Sequence, residues 1–78
     1  MQGELRRSLD TVYDRMKRTD PSPNEFAGHY ALCLGIIVGG QACNGMSEEE
    51  AGRERAHLVM LAALYEVRMR VRSDLSEQ

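Results

Sequence analysis

The chain of 78 residues has no tryptophan, a single phenylalanine, two prolines and two cysteines. No apolar run approaches the roughly 18 residues that a membrane-spanning helix needs, which excludes a transmembrane segment of that kind. Cys33 and Cys43 fall on one predicted helix. At about 1.5 Å per residue their backbones stand about 15 Å apart, beyond the ~7 Å that a disulfide can bridge. Buried free thiols in a reducing compartment are the expectation. The N-terminus, through Arg6 and Arg7, is charged and offers no apolar core for a secretory leader, which points to the cytoplasm. An excess of one charge is missing as well. The 10 Lys and Arg stand against 12 Asp and Glu, for a net charge of −2, a poor balance for a protein whose main work is neutralising phosphates.

Catalytic signatures are equally scarce. There is no G-x-S-x-G elbow and no phosphate-binding loop, and Gly39-Gly40 falls within a predicted helix rather than between a strand and a helix. Neither histidine has an evident nucleophile beside it except Cys33, which lies among Leu32, Leu34 and Ile36, where a thiol is expected to be buried. The expectation is a protein that is not an enzyme and takes no cofactor.

What is present is helical pattern. Hydrophobic residues make up 42% and charged residues 28%, the balance of one small folded domain rather than a disordered chain. Leu5, Leu9, Val12, Tyr13 and Met16 recur on one face of a helix predicted from about residue 2 to 18. Asp14 can pair with Arg18 one turn on, and Thr19-Asp20-Pro21 ends the segment. Ser22-Pro23-Asn24-Glu25 reads as a capping box with proline in the first turn, so a second helix is predicted over 23–43, stopped by a left-handed Asn44-Gly45. Ser47 and Glu50 form a second capping box, opening a third helix over about 48–74. Short loops make neighbours antiparallel. The predicted fold is an all-α, up-down-up three-helix bundle in a single domain, dimerising into a larger helical bundle.

Dimerisation is expected because the helices carry more apolar surface than three rods can hide. The second helix is apolar nearly all round. Ala27, Ala31, Gly35 and Gly39 recur every fourth residue and open a shallow groove. That groove suits a core contact with the third helix or, alternatively, a two-fold crossing with the second helix of another copy. The third helix has two apolar stripes. The broader holds Ala56, Met60, Ala63, Leu64, Val67, Val71 and Leu75, with Leu61 at its edge, and is assigned to the core. The other holds Ala51, Leu58, Ala62, Tyr65 and Met69, and is assigned to the dimer or partner interface.

Two further possibilities attach to particular residues. His29, Cys33 and His57 are zinc-type ligands that a hairpin of the second and third helices could bring together, although no paired metal-ligand spacing is present. Arg68, Arg70 and Arg72 end the third helix, and Arg15 and Arg18 lie on the first. In a two-fold dimer these would form a basic stripe, so a nucleic-acid-binding regulator is the alternative to a protein-interaction module.

Such a short chain, with its two capped helices and no catalytic motif, resembles the accessory proteins encoded by phages and other mobile elements. Anti-CRISPR proteins and other inhibitors of host systems belong to that group. The resemblance implies inhibition of a host protein by contact, with Glu48, Glu49 and Glu50 imitating nucleic-acid phosphates. Taken as residues alone, the three glutamates are a solvated first turn that complements the helix dipole.

Overall fold

A computed structural model describes residues 1–18 and 22–76. Within them the chain forms three α-helices and no strand: α1 (Gly3–Arg18), α2 (Pro23–Ala42) and α3 (Glu48–Ser76). The predicted stop at Thr19-Asp20-Pro21 and the side chains of Arg18 and Leu75 lie outside the described residues.

Local chemistry sets the helix ends. Ser47 N–H donates to Glu50 Oε1 (2.9 Å) and Glu50 N–H to Ser47 Oγ (3.1 Å), a reciprocal capping box. At α2 the exchange differs. Glu25 N–H donates to Ser22 Oγ, but the Glu25 carboxylate accepts from the Ser22 hydroxyl (3.3 Å). At the far end of α2, Gly45 N–H donates to Gly40 O (2.8 Å) and Asn44 N–H to Gln41 O (3.2 Å), the paired bonds of a Schellman close. The left-handed residue there is Asn44 (φ 59°), not Gly45. Gly45 is buried under α1: a Cβ there would stand 2.7 Å from Leu5 Cδ1 and push that side chain aside, and its carbonyl accepts from Gln2 N–H (2.9 Å).

The helices form an elongated bundle of 51 × 18 × 16 Å. With 29 residues against 20, α3 outruns α2 by about two turns. Accessible surface is 5345 Å², against about 4,800 Å² for a compact monomer of this mass. The core runs along the axis. Leu9, Val12, Tyr13 and Met16 enter from α1, Phe26, Cys33 and Ile37 from α2, and Leu58, Leu61 and Tyr65 from α3. Phe26 and Tyr65 stack with ring centroids 4.0 Å apart and planes 5° from parallel, pinning the start of α2 to the second half of α3.

Candidate interaction surface

The orientation of α3 about its own axis decides which apolar stripe is left outside. A polar cluster in the interior helps to set that orientation. Arg6 donates from Nη1 to Glu54 Oε2 (2.9 Å) and from Nη2 to Glu54 Oε1 (3.0 Å), and the Tyr13 hydroxyl donates to Glu54 Oε1 (3.0 Å). Arg6 also pairs with Asp10 one turn on (2.7 Å). Glu54 is a buried carboxylate held below the usual carboxylate range, first by the Arg6 hydrogen bonds and then by the Tyr13 hydroxyl. Burial, followed by the hydrogen bond to Glu54, pushes the Tyr13 phenol up. The rings of Tyr13 and His57 meet in a T-shaped contact, with centroids 4.5 Å apart.

This corrects the sequence assignment of the two stripes. Leu58 is 0% and Tyr65 8% exposed, while Ala62 and Met69 are half-buried against the same core. Leu58 and Tyr65 serve the chain's own interior, against the interface assignment, and Ala62 and Met69 pack partly against it. The broader stripe faces solvent: Met60, Leu64, Val67 and Val71 are each 52–57% exposed, Ala56 and Ala63 lie exposed among them, Val59 beside them is 59% exposed, and only Leu61 at the edge turns inward. Apolar residue count favours the broader stripe for the core. The narrower one wins because it alone carries partners that fit: Tyr65 for the Phe26 ring and Glu54 for Arg6.

The small-residue face of α2 is also outside. Ala27, Ala31, Gly35 and Gly39 are all exposed. A Cβ added at Gly28, Gly35 or Gly39 would meet nothing within 4 Å, so the intrachain contact with α3 expected there does not form. Leu32 and Val38 flank these residues, at least half exposed. Between α1 and α3 lies a cleft of about 310 Å³, floored by Met60, Leu61, Leu64 and Val67 and edged by Lys17, His57 and Arg68.

The remaining candidates fall as follows. Arg15, Arg68, Arg72, Glu48 and Glu49 are exposed. His29, Cys33 and His57 do not assemble into a metal site: among the described residues no three His, Cys, Asp or Glu gather to hold an ion. Nδ1 of His29 points inward without a hydrogen-bond partner. Cys33 is fully buried, and burial together with the Glu54 charge pushes its thiol up to about 11. It is therefore protonated near neutrality, which removes the nucleophile from a Cys33–His57 pair. Cys43 is exposed, against the expectation of two buried thiols. No helix among the described residues is long and apolar enough to cross a membrane.

Sequence reasoning missed Arg6, Glu54 and Tyr13 as a unit. Their separation along the chain leaves no local signal, and only the docking of α1 on α3 joins them. No protein-family model, curated protein or solved structure matches the chain.

Proposed function

We propose that this chain is a non-catalytic protein-interaction module that acts as a homodimer. One observation carries the reading: five large apolar side chains, from Val59 to Val71, stand more than half exposed along one face of α3. A patch of this kind on so small a subunit marks a contact surface. Covering the exposed half of five such side chains contributes about 5 kcal/mol per subunit, or about 10 kcal/mol for a pair. Association costs about 4–15 kcal/mol, so this face can offset most of that cost. The α2 face, with two large apolar side chains, cannot do so alone.

That second face suits a different task. Between Glu25 and Asn44 the sequence of α2 carries no Asp, Glu, Lys or Arg, and its exposed glycines let another backbone approach. A host protein, the partner that the resemblance to phage accessory inhibitors implies, would find a flat apolar surface there while α3 holds the dimer.

Light scattering across the micromolar range tests the reading. A species of about twice 8.8 kDa supports it. A single 8.8 kDa species at every concentration, with a cooperative melt, rejects it.

A further inference from the structure

We infer that two copies of the chain pair through α3, antiparallel, about a two-fold axis that passes between Ala63 and Leu64. This deepens the homodimer reading and rests on it.

Pattern is the first support. The exposed stripe of α3 begins at Ala56 and ends at Val71, so its midpoint falls between 63 and 64. Reversing the stripe about that point sets Met60 level with Val67 of the second copy and Ala56 level with Val71 of the second copy. Along the middle of the stripe apolar side chains meet apolar side chains, as an isologous contact requires, while Val59 falls level with Arg68 of the second copy. Ala63, at the crossing, lets the axes come close.

Charge selects the direction. The first turn of α3 is acidic, with Glu48 and Glu49 exposed, and its later turns carry exposed Arg68, Arg70 and Arg72. An antiparallel pair about this axis sets Arg68, Arg70 and Arg72 level with residues 59, 57 and 55 of the other helix rather than against their own counterparts, and the helix dipoles oppose favourably. A parallel pair would bring like ends together.

Area is the third support. Five half-exposed large side chains and two alanines amount to on the order of 500 Å² per subunit, and so about 1,000 Å² for the pair, the lower edge of specific interfaces. That is about a tenth of the 5345 Å² each subunit exposes.

Sedimentation velocity and cross-linking test the arrangement. Leu64→Asp and Val67→Asp alter α3, and Val38→Asp alters α2. All three positions are more than half exposed, and circular dichroism confirms that each variant keeps its helicity. The α3 changes should weaken the dimer by about 30-fold or more, while the α2 change should leave it within about threefold. In a Cys43→Ser background, Met60→Cys mixed with Val67→Cys should oxidise to a linked pair, and Met60→Cys alone should not. Self-linking of Met60→Cys would mean a parallel pair and overturn the inference. Dissociation by Val38→Asp in place of the α3 changes would do the same, with the homodimer reading intact. A wild-type chain that is monomeric throughout removes both.

Discussion

Arg6 and Glu54 join α1 to α3 through two parallel hydrogen bonds of 2.9 and 3.0 Å, with the Tyr13 hydroxyl as a third donor to the same carboxylate. The Arg6 side chain is partly open to solvent and that of Glu54 almost closed off. Removing one partner therefore strands a carboxylate that water barely reaches. Arg6→Ala should destabilise the fold by about 2 kcal/mol, tempered by the exposure of the guanidinium, and Glu54→Gln by about 1 kcal/mol. Urea midpoints at constant slope check both values. An Arg6→Ala variant as stable as the parent would show that the pair orients α3 without stabilising it.

The same carboxylate sets an acid limit. Because Glu54 titrates lower folded than unfolded, its contribution is full above the ordinary value of 4.5 and fades as pH falls through the lowered one. The alkaline limit has the opposite sign. The Cys33 thiol is raised from 9.0 to about 11, so its contribution is full below pH 9 and is lost as pH climbs through 11. Melting temperature should be flat between about pH 5 and 9 and fall on both sides. Cys33→Ala should move the alkaline fall upward, and an unmoved alkaline limb would assign it to Tyr13 instead.

The aromatic stack makes a sharper demand on packing. Phe26 and Tyr65 are both buried and bury each other. Tyr65→Ala should cost about 3 kcal/mol, more than an exposed-face change such as Val67→Ala, which should stay within about 0.5 kcal/mol of the parent subunit's intrinsic stability. Denaturation at concentrations low enough to dissociate the pair separates the two effects.

Glycines divide by surroundings. Gly28, Gly35 and Gly39 have open space where a Cβ would go, so alanine there should stabilise the isolated subunit by about 0.5–1 kcal/mol each. Gly40→Ala should gain less or lose, because its Cβ would press on Leu5 Cδ1 at 3.0 Å. Thermal melts of the four single variants give the order. If Gly35→Ala raises the melting temperature yet weakens capture of a heterologous partner, the α2 face is the surface that partner uses.

Helix number, helix limits and both capping serines were legible in the chain itself. The Leu5-to-Met16 stripe, Ser22-Pro23 and Ser47-to-Glu50 each act within a turn or two, where local geometry leaves little choice. So was the surplus of apolar surface, since it follows from counting faces. The assignment of faces was not legible. On α3 both stripes are apolar, and periodicity has no term that ranks them. The choice fell to long-range pairs, Tyr65 on Phe26 and Glu54 with Arg6, whose energies exist only once α1, α2 and α3 lie together. That choice turned Leu58 and Tyr65 inward and left Met60, Leu64 and Val67 on the outside.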